Sequence, residues 1–503
     1  MDPRQAYSEL LRRVRESALL ESCANLLGWD ERTYMPHLGS AHRAEQMALL
    51  ARLGHEMLTA PIIGELLATV EASPLVGDAD SDAAANVREI RRNYNRAVKL
   101  PKELVEELAR VTTRAQQVWQ EARQANNFAA FGPWLEKVVA LVRQKAQAIG
   151  YPNVPYDALL DEYEPGATTA EITTLFAALR AELVPLISAI IASGRKPHRD
   201  WLQGAYPIEQ QQRFGREAAA AIGFNFDAGR LDVTTHPFCS GIGPGDCRIT
   251  TRYYPHHFSE SFFGILHEAG HGIYEQGLPA EHFGTPLGTA ASLGLHESQS
   301  RLWENQVGRS RPFWEYFFPR AQQAFPAALG AVRLDDFLFA VNDVQPSFIR
   351  VEADEATYNM HIILRFELEQ ALVNGDLKPA DVPGAWNEKF QQLFNLTPPT
   401  DTQGCLQDIH WSMGGLGYFP TYTLGNLYAA QFMEQARRDL PGLEDEFRAG
   451  RFQGLKGWLN DKIHRVGQRY RAGDLCQRVT GRPLSHQPLM AYLRGKYESL
   501  YGI

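Results

Sequence analysis

Residues 260–271 read ESFFGILHEAGH, and the rest of the chain is best read outward from this run. ESFFGIL supplies an apolar helix face, and Gly270 and Gly272 leave room for close packing around the histidines at 267 and 271. His267-Glu268-Ala269-Gly270-His271 is an HExxH motif. On a helix, residues four apart share a face, so both imidazoles can reach a single ion. Glu268 points beside that face, where it can hold a water whose pKa a zinc ion lowers toward about 7. It could then take that water's proton and deliver it to a leaving amine. The bland alternative is two histidines and a glutamate on a solvated helix face.

Zinc in a catalytic site takes a third protein ligand and keeps one position open. The metzincin extension requires Gly at 274 and His at 277, where this chain has Tyr274 and Gly277, so that subclass is excluded. A downstream glutamate is the better candidate. Glu297, in LGLHESQSRLWEN (293–305), shares a helical face with Arg301. The spacing alone leaves two readings open, a ligand or a surface ion pair with Arg301, and Glu304 is a third option.

Around this motif most of the sequence reads as helix. Leu10, Leu11, Val14 and Ala18 recur at helical spacing. Thr168 and Glu171 form a capping box ahead of LFAALRAELVPLISAI. Residues 354–373, DEATYNMHIILRFELEQALV, give another long helical pattern, stopped by Asn374–Gly375. Only RLDVTTHPF and DCRITTRYY, near residues 230–254, read as strands, joined by CSGIGPG as a Gly/Pro turn. The fold expected is mainly α, with a small antiparallel β-sheet there, as one large unit with a cleft.

Composition narrows the partners. The 503 residues are 44% hydrophobic and 22% charged, with a formal net charge of -9, so the chain can bury a core and carries no basic track for nucleic acid. Five scattered cysteines without CxxC spacing argue against a disulfide framework or a thiolate metal site. Cys239 and Cys247 read as small apolar fillers. The N-terminal MDPRQAYSELLRRVRES lacks the apolar run of a secretory signal, and no stretch reads as a membrane span of roughly 18 apolar residues. A cytoplasmic protein is expected.

Several further motifs occur in order: GWDERTYMP near residue 30, HPF (236–238), DCRIT (246–250), HESQ (296–299), IRVEAD (349–354), GCLQDIHW (404–411) and the terminal GRPLS…YLRGKY. With HExxH, they make the chain resemble the carboxypeptidase Taq family of zinc metallocarboxypeptidases, through nearly its whole length. The resemblance implies a single domain over 1–503, a helical gluzincin with two lobes around a deep substrate cleft. It implies a homodimer that releases residues from peptide C-termini with broad preference. It implies His267, His271 and Glu297 as zinc ligands, Glu268 as general base, and Arg350 as the grip on the substrate's terminal carboxylate. A guanidinium fork suits that task, because it binds a carboxylate bidentately; the rival reading pairs Arg350 with Glu352 or Asp354. His410 and Tyr422, with Tyr418 as a rival, are similar to donors placed over a scissile carbonyl. His236 is a further candidate for substrate contact, and Asp246 and Arg248 are expected to brace the sheet.

Two other functions compete: an endo-acting oligopeptidase on the same scaffold, and a non-catalytic helical binding protein. An aminopeptidase is disfavoured, because no GxMEN-type segment precedes HExxH. The ligand set of two nitrogens and an oxygen would also accept cobalt or manganese.

Overall fold

The computed structural model describes residues 1–503, and they are mostly helical. The chain forms two compact units, each gathered from three separate segments. The first unit comprises Met1–Ala97, Pro197–Val341 and Tyr428–Pro483; the second comprises Val98–Lys196, Asn342–Leu427 and Leu484–Ile503.

Local signals place several helices where the sequence reading expects them. Helix Pro3–Thr33 covers the first apolar pattern, with the Asp2 carboxylate accepting from the amides of Arg4 and Gln5. Helix Thr169–Ala192 begins at the expected capping box: the Thr168 amide donates to Glu171, whose own amide donates to the Thr168 hydroxyl. This helix corrects one expectation. Its 18-residue window of mean hydropathy 1.9 is long and apolar enough to cross a membrane by composition. Ile172, Phe176, Leu179, Leu183 and Ile187 nevertheless form a buried stripe along one face, by which the helix packs on the protein. Helix Tyr358–Asn374 begins four residues later than its pattern suggests. The Asp354 carboxylate accepts from the amides of Ala356 and Thr357, which holds residues 354–357 in a turn.

The sheet also differs from expectation. It is mixed and has three strands: β1 (Gly229–Val233), β2 (Cys239–Gly243) and β3 (Asp246–Thr251), in the order β1-β3-β2. β1 runs parallel to β3, and only β2 is antiparallel to it. The run CSGIG, expected as part of a turn, is β2 itself. Pairing along β3 supplies hydrogen bonds that its glycines alone would not favour, so tertiary context overrides propensity. The chain turns only at Pro244 and Gly245. Residues 234–238 bring it round from β1, which is why the two Thr-rich strands point the same way.

Within the first unit the end of helix Pro3–Thr33 is tied to this sheet. Tyr34 donates to Asp232 at 2.7 Å, Thr234 donates to the carbonyl of Arg32, and the Arg32 guanidinium lies 4.3 Å from the Phe238 ring centroid. Arg248 forks onto Asp246 with two 2.8 Å hydrogen bonds and stacks 4.2 Å over Trp29. That is the bracing expected of Asp246 and Arg248. The five cysteines are free. Cys239 and Cys247 have sulfurs 3.6 Å apart, but β-sheet register sets them diagonally, Cys239 opposite Ile249 and Cys247 opposite Gly241.

Candidate active site

Helix Phe258–Gly277 carries the HExxH residues in the first unit. Phe258, Phe262, Phe263, Ile265 and Leu266 are buried on it, which fixes the helix's rotation and with it the direction of His267 and His271. The partner element is helix Leu293–Arg301, opened by Ser292, whose hydroxyl accepts from the Leu295 amide. The two helices cross nearly backbone to backbone at Gly270: a Cβ there would come within 2.6 Å of the Gln299 carbonyl oxygen and of the Ser300 Cα. Any larger residue would push away the helix that brings Glu297.

The crossing gathers three ligand-type groups. One donor atom each from His267, His271 and Glu297 lies within 4.8 Å of the others. The Glu297 Oε2 stands 3.7 Å from His267 Nε2 and 3.4 Å from His271 Nε2. Glu297 faces both of the partners the sequence offered: its other oxygen accepts from Arg301 Nε at 2.7 Å. That pair is buried, not on the surface, with side chains 9% and 15% exposed.

The chemistry of the three groups suits a divalent metal, because both histidines have their remote nitrogens engaged. His267 Nδ1 lies 2.9 Å from Glu304 Oε2, so Nδ1–H donates there and leaves the Nε2 lone pair toward the cluster. Glu304 is therefore not gathered with the three groups; it buttresses His267, and it is itself flanked by Arg301 and Arg309. His271 Nδ1 lies 2.5 Å from His296 Nδ1. A π-helical turn, Leu302–Val307, comes directly after and carries Glu304.

Electrostatics agree with this division. Burial works to lower the proton affinity of His267, but Glu297 and Glu304 outweigh it and hold it above its ordinary value. Burial dominates at His271, which is pushed down to about 4. Burial would raise Glu297, yet Arg301 and the histidines hold it well below the usual carboxylate range. Glu268, 7% exposed, is pushed up to about 7 by burial. His236 lies exposed between β1 and β2, outside this cluster.

The second unit gathers the remaining candidates. Arg350 is 6% exposed. It pairs with neither Glu352 nor Asp354: its Nε and Nη2 donate to Asp408 Oδ1 at 3.0 and 2.8 Å, and Nη1 donates to the Tyr358 hydroxyl at 2.9 Å. Asp354 is instead occupied by the turn at 354–357. Arg365 donates to the other Asp408 oxygen at 2.7 Å. Burial would raise Asp408, but the two arginines hold it well below its ordinary range. His410 Nε2 is 3.4 Å from the Tyr422 hydroxyl, and the Arg350 guanidinium lies 5.1 Å from the Tyr422 ring centroid. Tyr418 packs against both His410 and Tyr422, with centroids 5.3 and 5.4 Å away. The hydroxyl contact favours Tyr422 over Tyr418 as the partner of His410.

Sequence reasoning missed Asp408, although GCLQDIHW contains it, and missed Glu304 as a buttress. It gave no role to His296 or Glu275. The adjacency of His296 to Glu297 was the available signal.

Known proteins resemble this chain along its whole length. The family model described as carboxypeptidase Taq (M32) metallopeptidase matches residues 9–497. The chain is 52% identical to thermostable carboxypeptidase 1 of Thermus thermophilus, covering all of both chains. It is 38% identical to carboxypeptidase 1 of Bacillus subtilis over 98% of each. The crystal structure of an M32 carboxypeptidase from Deinococcus radiodurans superposes with a TM-score of 0.95 at 40% identity, over 99% of this chain and 100% of that one.

Proposed function

The chain belongs to the carboxypeptidase Taq (M32) metallopeptidase family, and from that premise we propose that it is a zinc enzyme whose base is Glu268 and whose carboxylate anchor is Arg350. Membership makes it a metallocarboxypeptidase that acts on peptides and uses a divalent metal. The observation that carries the reading is the convergence of His267, His271 and Glu297 within 4.8 Å, with Glu268 on the same helix.

His267, His271 and Glu297 would hold the ion; two imidazoles and one carboxylate suit zinc, and also cobalt or manganese. When bound, the ion supplies Lewis-acid polarisation of the scissile carbonyl and acidifies a water. Glu268 would take a proton from the attacking water and return it to the departing amine nitrogen. Arg350, preorganised by Asp408 and Tyr358, offers a fixed cation to the substrate's terminal carboxylate. His410 and Tyr422 donate to the oxyanion that develops, with Tyr418 packed beside them, and His236 contacts the peptide. Preference at the last residue is broad.

We also propose a homodimer working in the cytoplasm. Helix Ser40–Thr59 buries none of its residues, and Leu19, Leu26, Leu38 and Leu49 are exposed on the first two helices and the turn between them, which supports a second copy covering them. Five free cysteines suit a reducing compartment. Light scattering after size exclusion tests the dimer against the 56.5 kDa monomer.

One experiment tests the catalytic reading. Zinc-loaded protein is given a free peptide and its C-terminally amidated twin, and products are followed by mass spectrometry. Stepwise shortening of the free peptide alone is expected. Internal cleavage of both would make the protein an endo-acting oligopeptidase and remove the role of Arg350. Inertness toward both with zinc, cobalt and manganese would leave a binding protein.

A further inference from the structure

We propose that Glu275 and His296 form a relay that fixes which nitrogen of His271 faces the metal, and that Gly241 on β2 keeps the space the relay needs. This rests on the reading of His271 as a ligand. A ligating imidazole must present a lone pair on one nitrogen, so its other nitrogen must carry the proton and needs an acceptor. For His267 that acceptor is a carboxylate, Glu304. For His271 it is another imidazole, His296 Nδ1, at 2.5 Å.

An imidazole accepts at Nδ1 only while its own proton sits on Nε2. His296 Nε2 lies 2.7 Å from Glu275 Oε1, and a carboxylate is acceptor only. Glu275 therefore holds the His296 proton on Nε2, His296 Nδ1 is left as an acceptor, and His271 is left with its proton on Nδ1 and a lone pair on Nε2. The opposite arrangement would set a lone pair of His296 against the carboxylate. Ring packing keeps the planes in line: His296 lies 4.6 Å from His271 at 32° and 5.3 Å from Tyr274 at 33°.

The sheet takes part through Gly241. A Cβ built there would stand 2.5 Å from Glu275 Oε2 and 2.9 Å from its Cδ. The obstacle is the end of a flexible side chain, so an alanine would move the Glu275 carboxylate and leave the backbone in place.

The test uses full-length metal-free protein titrated with Zn²⁺ against a chromophoric chelator, with circular dichroism to check folding. Glu275→Leu is expected to weaken zinc binding about 10- to 100-fold, the usual scale for losing an outer partner of a ligand. Glu275→Gln keeps an oxygen for the His296 N–H and is expected to stay within about threefold of the parent. Gly241→Ala is expected to fall with the leucine variant. Parent-like affinity in folded Glu275→Leu overturns the relay, as does an equal loss in Glu275→Gln, which would make charge and not hydrogen-bond direction the cause. Should Glu275→Leu not fold, Gly241→Ala decides, and parent-like affinity there overturns the proposal. A parent that takes up no zinc overturns the relay and the metal reading together.

Discussion

Arg301 Nε lies 2.7 Å from Glu297 Oε1, the carboxylate oxygen that is not the one nearest the two histidines. The same guanidinium reaches Glu304 at 3.4 Å. One cation thus balances a candidate ligand and the buttress of its neighbour. Removing one member of a buried ion pair costs about 3–5 kcal/mol, because the other charge stays behind. Arg301→Met is expected to destabilise the metal-free protein on that scale, read by urea denaturation, with part of the loss recovered on adding zinc. An unchanged midpoint would mean that Arg309 alone suffices to balance both carboxylates.

Glu268→Gln separates metal binding from catalysis. The amide keeps the shape of the side chain and removes the proton acceptor. Activity is expected to fall by at least about 10²-fold, while metal content measured by elemental analysis stays that of the parent. Loss of metal in this variant would show that Glu268 supports the site's structure.

Arg350→Lys keeps a positive charge but loses the fork that meets Asp408 through two nitrogens and Tyr358 through a third. A rise in KM exceeding any change in kcat is expected for a peptide with a free carboxylate. The same KM on a substrate ending in free carboxylate before and after substitution would sink the anchor role.

Glu369 offers a pH signature away from the candidate metal ligands. It accepts from Tyr156, Trp411 and Gly417, yet burial outweighs these bonds and pushes its pKa up to about 7 from the usual 4.5. With the folded value above the unfolded one, the folded state binds the extra proton in between. This contribution to stability is full below about pH 4.5 and is lost as pH rises to about 7. Glu369→Gln should remove that part of the slope, measured as denaturation free energy against pH relative to the parent. Parallel curves for the two proteins would contradict the burial argument.

How much of the site can be read from residues depends on how local each relationship is. His267 and His271 are legible because four-residue spacing maps directly onto one helix face. Glu297 is legible as a candidate, but its approach to Arg301 and the histidines together is set by a crossing at Gly270 that no periodicity encodes. Glu304 meets a histidine 37 residues away in sequence, and Asp408 meets an arginine 58 residues away; neither distance leaves a local trace. The sheet fails for a related reason. CSGIG has turn composition, and only its pairing with β3 makes it a strand. Helix boundaries fare better, since the Thr168 box and the Gly375 stop act within a few residues.

The division of each unit among three chain segments has a consequence for synthesis. The ring of His464 hydrogen-bonds to Gln299 at 2.8 Å and stacks on Tyr274 at 4.8 Å, so the surroundings of the HExxH helix are closed by a residue from the last segment of the first unit. A chain emerging from the ribosome therefore exposes the histidines long before it can build the walls around them. Pairings this distant in sequence are slow to form and leave apolar surface open meanwhile. Until the last segment has been made, the imidazoles of His267 and His271 lack the wall that His464 supplies.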